Sequence, residues 1–167
     1  YAENLYMDEL SGLYNRRYFN AVLAKKKITS KISIYGIMMD MNDFKSINDN
    51  FGHNMGDKAI TTMGNILFRS ILDRGMAIRY AGDEFIVLLA GVDTACVLAI
   101  MDEINHNLSQ FNESGEEPFT LSVSMGYAQL GAEDDAEAFL RHMDEKMYEE
   151  KRKYHLLQKS RDLEDSI

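Results

Sequence analysis

The fold is decided by the stretch Met76-Ala77-Ile78-Arg79-Tyr80-Ala81-Gly82-Asp83-Glu84-Phe85-Ile86-Val87-Leu88-Leu89. Two runs of apolar and β-branched residues, Met76 to Tyr80 and Glu84 to Leu89, lie on either side of Ala81-Gly82-Asp83. Two such runs joined by a few residues that include glycine are typical of a β-hairpin. We therefore predict two antiparallel strands joined by a tight turn that carries the carboxylate of Asp83.

Working outward from the hairpin, Lys31 to Met39 is an apolar run that predicts a buried strand ending at Asp40. A further strand is predicted at Phe119 to Gln129. Helices are predicted where apolar residues recur at helical spacing, at Arg16 to about Lys27, Phe44 to Phe51, Gly56 to Leu72, Asp93 to Phe111, and Asp134 to about Tyr154. This order predicts an α/β (α+β) sandwich of the ferredoxin-like type, with a mostly antiparallel central sheet flanked by helices.

Composition limits the classes of function. The 167 residues suit one core, and no stretch approaches the roughly 18 to 20 apolar residues of a membrane span, so we expect no membrane contact by this segment. The single cysteine, Cys96, excludes an internal disulfide, suits the cytoplasm, and has apolar neighbours that predict a buried thiol. A net charge of −9 argues against a nucleic-acid polymer as partner. A mononucleotide remains compatible with it, because one needs only a metal ion and a few local cations.

Two carboxylates are predicted to meet at one end of the sheet, because Asp40 ends the buried strand and Asp83 lies at the hairpin tip. Oxygen ligands of this kind suit Mg²⁺ or Mn²⁺. The alternative for Asp40 is a helix N-cap. Gly82 suits a tight turn that a nucleotide approaches closely, and Ala81 is tolerable beside it if its φ is negative.

Three further residues suggest a nucleotide. Asn48 and Asp57 lie nine residues apart on successive predicted helices, where an amide and a carboxylate can converge on the donors and acceptors of guanine. For Asp57 the alternative is a plain N-cap. Lys45 lies in the segment that leaves Asp40, where an ammonium group and free helix amides can face phosphates. Its alternative is a solvated surface lysine.

Four fragments match one family in their order and spacing. They resemble the motifs DxLTGLxNRR, DIDxFKxxND, GHxxGD and RYGGDEF of GGDEF domains, which are diguanylate cyclases. The matching fragments are Asp8 to Arg17, Asp40 to Asp49, Phe51-Gly52-His53 with Gly56-Asp57, and Arg79-Tyr80-Ala81-Gly82-Asp83-Glu84-Phe85. The signature is an AGDEF variant, since Ala81 replaces a glycine. Farther on, Tyr148 to His155 aligns with YxAKxxGRN. The resemblance covers about residues 5 to 155.

The resemblance implies a nucleotidyl-cyclase-type fold with a five-stranded sheet, and a reaction that joins two GTP molecules into cyclic di-GMP. It implies two Mg²⁺ or Mn²⁺ ions bound by Asp40, the Met41 carbonyl and Asp83. It assigns catalysis to Asp83, Glu84 and Asp40. Its substrate-binding residues are Asn48, Asp57, Phe44, Lys45, Gly82, Lys151 and His155.

The family also implies partners and a context. Each domain holds one nucleotide, so catalysis implies a homodimer, controlled by an upstream sensor domain in a longer cytoplasmic or membrane-anchored protein. We predict a single domain over residues 1–167, with a helical lead-in at 1–27, a catalytic core at 31–155 and a divergent tail at 156–167.

Several positions depart from the family pattern. His155 replaces an arginine and Asn42 an aspartate, which favours an alternative: a catalytically silent GTP-binding or partner-binding module. An adenylyl cyclase is less compatible with Asp57, which suits guanine. The RxxD motif of the family's product-inhibition site falls on Leu72-Asp73-Arg74-Gly75 and is missing, with Arg74 left as a weak phosphate contact. His53 is interpreted as a structural turn residue.

Overall fold

A computed structural model describes residues 5–29 and 31–167, and a five-stranded sheet lies at its centre. The strands are β1 (Tyr14–Asn15), β2 (Ile34–Met41), β3 (Met76–Ala81), β4 (Glu84–Ala90) and β5 (Val123–Gln129). Their spatial order is β1-β3-β4-β2-β5. All pairings are antiparallel except that of β1 with β3. The predicted fold, including the hairpin of β3 and β4, is confirmed.

Helices cover both faces of this sheet. They are α1 (Arg16–Thr29), α2 (Phe44–Phe51), α3 (His53–Ile71), α4 (Thr94–Ser114) and α5 (Ala136–Asp165). Along β4, Phe85 and Val87 face the core under α3 and α4, whereas Ile86 and Leu88 face the core under α1 and α5. After Glu84 the strand is apolar because both of its faces are buried.

The predicted end of α5 is wrong. The helix begins after the N-cap Asp135, whose carboxylate accepts a hydrogen bond from the Ala138 amide at 2.8 Å. It then runs to Asp165 instead of ending near Tyr154, because no glycine or proline interrupts the sequence in between. Residues 156–165 of the predicted divergent tail therefore continue this helix.

Other boundaries also differ. Strand β2 begins at Ile34 rather than Lys31 and extends through Asp40 to Met41, and helix α4 ends at Ser114 rather than Phe111. The predicted strand from Phe119 begins only at Val123, since the side chain of Asn112 pairs with the Leu121 backbone amide and carbonyl at 2.8 Å each and replaces a neighbouring strand there. Helix α3 begins at His53 rather than Gly56.

The remaining general predictions concern burial and the chain start. Cys96 packs against the core under α3 and α4 but is only partly buried, where a buried thiol was predicted. Residues 1–4 of the predicted lead-in, and Ser30, lie outside the described residues. Across the part of the chain that is described, no helix combines the length and apolar character that a membrane crossing requires.

Candidate active site

Strand register brings three carboxylates to one end of the sheet. Asp40 of β2 lies directly opposite Glu84 of β4, and the Met41 amide donates to the Asp83 carbonyl at 3.1 Å. Asp83 occupies the turn between β3 and β4. Asp40 lies within β2 and is not the N-cap of α2, which is Asp43. The alternative reading of Asp40 as a helix cap is therefore wrong.

Burial and neighbouring negative charge raise the pKa values of Asp83 and Glu84. Burial, followed by the negative charge of Asp40 and a hydrogen bond with it, raises the pKa of Asp83 to about 6. Burial also raises the pKa of Glu84, with smaller contributions from Asp40, Asp83 and Asp144. Close carboxylates of this kind repel each other when ionised, and a cation between them removes that repulsion.

The donor set suits a hard cation that keeps other ligands. Among the described residues, no three His, Cys, Asp or Glu side chains form a group that could hold a metal. The donors at hand are the carboxylates of Asp40 and Asp83 and the carbonyl of Met41. Mg²⁺ is commonly held by one or two carboxylates together with water and phosphate oxygens, so this limited oxygen set fits Mg²⁺ or Mn²⁺.

A cationic side chain from α5 enters the acidic corner. The Lys151 ammonium lies 3.1 Å from Asp40 Oδ2 and donates to the Met41 carbonyl at 3.1 Å. The side chain is 14% exposed, so the contact is largely shielded from water. Sequence analysis missed Asp144, about two helical turns before Lys151 on α5, although its carboxylate influences Glu84.

The hairpin turn is braced from within. Gly82 has a φ of 27°, and Ala81 is outside the positive-φ set, which for non-glycine residues described here contains Asp43 and Leu72. Ala81 therefore takes the place of a glycine without backbone strain. Arg79 Nε donates to the Gly82 carbonyl at 2.9 Å, and its Nη1 contacts Asp8 at 3.3 Å. Both residues were part of quoted motifs, but neither had been assigned a role.

The predicted guanine-reading pair lies on α2 and α3. The Asn48 amide packs so closely on Gly56 that a β-carbon there would overlap it. The next residue, Asp57, is exposed on the second turn of α3, whose N-cap is Gly52. The N-cap alternative for Asp57 is therefore wrong. The Asn48 amide of α2 thus lies against Gly56 of α3, and the exposed carboxylate of Asp57 belongs to the next residue of that helix.

Other predicted substrate contacts are differently placed. The Lys45 side chain is 88% exposed and its ammonium pairs with Asp49 at 2.6 Å. Phe44 is partly buried, with its side chain packed against the core. His53 is exposed at the first position of α3, directly after Gly52, so it begins a helix and does not lie in a turn.

The two departures from the family pattern have clear local structures. Asn42 is buried, and its amide bonds to the hydroxyls of Ser122 at 2.9 Å and Ser124 at 2.8 Å. It fastens the end of β2 to the start of β5. His155 is exposed on α5, and the preceding Tyr154 donates its hydroxyl proton to Asp43. This hydrogen bond joins α5 to the segment after β2, in addition to the contacts of Lys151 with Asp40 and Met41, and no sequence pattern predicted it.

The turn 72–75, at the other end of β3, lacks the arginine and the aspartate of the RxxD motif. Leu72 is 64% exposed with a φ of 52°. Arg74 donates to the carbonyls of Ser70 and Ile71 and to Glu103 at 2.7 Å. Its guanidinium is therefore already engaged, which argues against the weak phosphate contact predicted for it.

Comparison with known proteins gives a consistent result. The family model "Diguanylate cyclase, GGDEF domain" matches residues 5–155. The chain is 31% identical over 151 residues to the response regulator PleD of Caulobacter vibrioides, covering 86% of this chain and 33% of PleD. It is 32% identical over 152 residues to the diguanylate cyclase DgcS of Shewanella oneidensis, covering 86% of this chain and 49% of DgcS. The chain thus spans half or less of these relatives.

A solved structure shares the fold. The coiled coil and GGDEF domain of DgcB from Caulobacter crescentus, determined in complex with c-di-GMP, superposes with a TM-score of 0.79. The two chains are 23% identical, and the match covers 90% of this chain and 83% of that one. At this identity the likeness speaks for the fold.

Proposed function

The chain belongs to the GGDEF family of diguanylate cyclase domains, and on that premise we propose that it condenses two GTP molecules into cyclic di-GMP with release of pyrophosphate. The observation that carries the proposal is the meeting of Asp40, Asp83 and Glu84 with Lys151 at one end of the sheet. Phosphoryl transfer depends mainly on positioning and on neutralising phosphate charge, and this corner offers cation ligands and a cationic side chain together.

The cation ligands in this proposal are Asp40, the Met41 carbonyl and Asp83, with Glu84 beside them. Mg²⁺ or Mn²⁺, two ions per site once GTP is bound, would supply positive charge against the phosphates. The raised pKa of Asp83 supports the assignment, because it reflects burial first and then the negative charge of Asp40 close by.

The nucleotide is proposed to extend from this corner toward α2 and α3. Asn48 and Asp57 would pair with the guanine edge, and Gly82, free of any heavy atom within 4 Å of a β-carbon position, leaves room for close approach. Lys151 and His155 are the proposed phosphate contacts on α5, and Lys45 would join them only by leaving Asp49.

Catalysis is proposed to need two copies of the domain. Each copy presents one acidic corner, and the 3′-hydroxyl of one GTP must reach the α-phosphate of the other, so two sites have to face each other. An upstream sensor domain is proposed to control that encounter. A rate per domain that rises with protein concentration is the expected sign of it.

The deciding experiment is incubation of the domain with GTP and Mg²⁺ or Mn²⁺, followed by chromatography of the nucleotides. We expect cyclic di-GMP and pyrophosphate from GTP, and no cyclic dinucleotide from ATP. GTP that stays intact at every protein concentration, even when the domain is joined to a dimerising partner, would refute the cyclase proposal.

One observation favours a second candidate, a silent GTP-binding module. Helix α5 continues through Tyr154, where the family motif has a glycine, and leaves His155 exposed where it has an arginine. A phosphate contact is weakened if His155 does not reach the nucleotide. Calorimetric binding of GTP without product formation would identify this candidate, whereas product formation excludes it.

A further inference from the structure

The Lys151 ammonium contacts the oxygens that are proposed to bind the cation. It lies 3.1 Å from Asp40 Oδ2 and 3.1 Å from the Met41 carbonyl oxygen. A divalent cation bound to the same two oxygens would lie about 2.0–2.1 Å from each. The ammonium would then be within a few ångströms of that cation, at a site of reduced solvent exposure where like charges repel strongly.

We propose that Lys151 and the divalent cation compete for Asp40 and Met41, and that the phosphates of the nucleotide end the competition by binding the ammonium. A cation alone then binds weakly, because it must displace Lys151. A cation that arrives with a nucleotide binds tightly, because the ammonium gains phosphate oxygens in exchange. This inference rests on the proposed function and adds to it an order in the binding of metal and nucleotide.

The packing of α5 allows the ammonium to move while the helix stays in place. Gly126 of β5 lies against the backbone of α5 at Lys146 and Met147, where a β-carbon would overlap the helix. Beyond Lys151, the Tyr154 hydroxyl donates to Asp43 and accepts from Gln158 at 2.9 Å. The helix is thus fixed on both sides of Lys151, and the flexible four-carbon stem carries the charge between its two positions.

The competition has a thermodynamic consequence that can be measured. If nucleotide increases the affinity for the cation, the cation must increase the affinity for nucleotide by the same factor. Such coupling factors are typically about 5-fold to 150-fold. Part of the coupling arises in any nucleotide site, because phosphates bind metal directly. The proposal assigns a further part to Lys151, and that part should vanish when its charge is removed.

The test is a set of calorimetric Mn²⁺ titrations, with and without a GTP analogue whose α,β-bridging oxygen is replaced by methylene so that no pyrophosphate leaves. We compare the unmodified chain with Lys151→Met, which keeps an unbranched side chain one heavy atom shorter and removes its charge. Lys153→Met is the matched control, since Lys153 lies on the same helix and pairs with Glu150 at 3.0 Å. Asp40→Asn identifies the heat that comes from other carboxylates.

For Mn²⁺ alone, we expect Lys151→Met to bind about 10-fold more tightly than the unmodified chain, and Lys153→Met to match the unmodified chain. With the analogue present, Lys151→Met should lose this advantage, so that its coupling factor is smaller. Circular dichroism verifies that each variant is folded. Equal or weaker Mn²⁺ binding by Lys151→Met without nucleotide overturns the proposal, as does tight binding that survives Asp40→Asn.

The two proposals fail in different ways. If the analogue binds to none of the variants, the proposed cyclase function is refuted, whereas the titrations with Mn²⁺ alone still decide whether Lys151 competes. If cyclic di-GMP forms but Lys151→Met does not tighten Mn²⁺ binding, the cyclase proposal stands and the competition is refuted.

Discussion

Turn 82–83 and turn 72–75 lie at opposite ends of β3, and they are held in different ways. The first is joined to distant parts of the chain: Asp83 accepts from the Met41 amide of β2, and Arg79, which donates to the Gly82 carbonyl, also contacts Asp8. The second is joined mainly to the helix before it, through bonds from Leu72 and Arg74 to carbonyls of α3.

Each turn contains a glycine, but for a different reason. Gly82 has a positive φ and free space around its β-carbon position, so its conformation is what requires glycine. Gly75 has no positive φ, but a β-carbon there would lie 2.5 Å from the Leu88 carbonyl oxygen and 2.6 Å from Leu89. The hairpin turn is thus shaped to present its carboxylate, whereas the other turn closes the packing between α3 and β4.

The largest expected effect tests the hairpin turn. Replacing Asp83 or Asp40 by Asn should reduce cyclic di-GMP formation by about 100-fold or more, the size seen when a group that stabilises transition-state charge is lost. Each change removes a carboxylate from a small donor set. The measurement is the initial rate at saturating GTP and Mg²⁺, with His53→Ala as a surface control that should retain most activity. Turnover close to normal in either Asn variant contradicts the metal assignment.

The next effect separates the two glycines. Gly75→Ala should lower the free energy of unfolding by about 1–3 kcal/mol, because its methyl group is forced against the β4 backbone. Gly82→Ala should cost about 1 kcal/mol, since only backbone conformation opposes it. Chemical denaturation of both variants gives the comparison. If Gly82→Ala is the more damaging change, the distinction between packing and conformation is wrong.

A pH effect should accompany Asp83. Its pKa is raised to about 6, above the ordinary value of 3.8, so the folded chain keeps a proton that the unfolded chain has already lost. Stability contributed by this group therefore falls as pH rises from about 4 to 6. Asp83→Asn lacks that loss and should be more stable than the unmodified chain at pH 7.5, by about 1 kcal/mol or less after solvent screening.

Thermal melts at pH 4 and pH 7.5, in the presence of a chelator, measure this difference. The advantage of Asp83→Asn should be about 2–4 °C at pH 7.5 and should shrink at pH 4. An advantage of the same size at both values would show that it does not come from the charge of Asp83.

The sequence predicted the acidic corner well, because strand ends and hairpin tips are fixed by local patterns. Asp40 lies near the end of β2 and Asp83 follows β3, so antiparallel pairing alone brings them together. It failed where long-range contacts decide. Because the Asn112 side chain pairs with the Leu121 backbone, β5 begins later than predicted. The hydrogen bond from Tyr154 to Asp43 comes from α5, which was predicted to end near Tyr154. Neither contact leaves a periodic signal.

A smaller effect concerns His155, which lies on α5 just beyond the end that the sequence predicted for that helix. His155→Arg should tighten binding of the GTP analogue by about 2-fold to 5-fold, because a charged contact at an exposed position is worth about 1 kcal/mol at most. His53→Arg adds the same charge at another exposed site and is the control. Equal gains from both variants, measured by calorimetry, would mean that the general field acts and that His155 does not contact the phosphates.

The smallest expected effect is an absence of response at turn 72–75. Strong product inhibition in the family uses an arginine and an aspartate at the ends of an RxxD motif, which Leu72 and Gly75 replace. Arg69 and Asp73 do not substitute, because on α3 and its end their spacing is one residue longer, and Arg74 is engaged with Glu103. Initial rates should therefore change by less than about 2-fold when micromolar cyclic di-GMP is added, since no guanidinium fork is free to bind it.

Introducing the motif is a poor control, because an aspartate at position 75 would meet the Leu88 carbonyl. Leu72→Arg alone avoids that clash and should remain uninhibited, since one arginine without its aspartate leaves the guanine donors unpaired. Strong noncompetitive inhibition of the unmodified domain would show that a surface other than this turn binds the product.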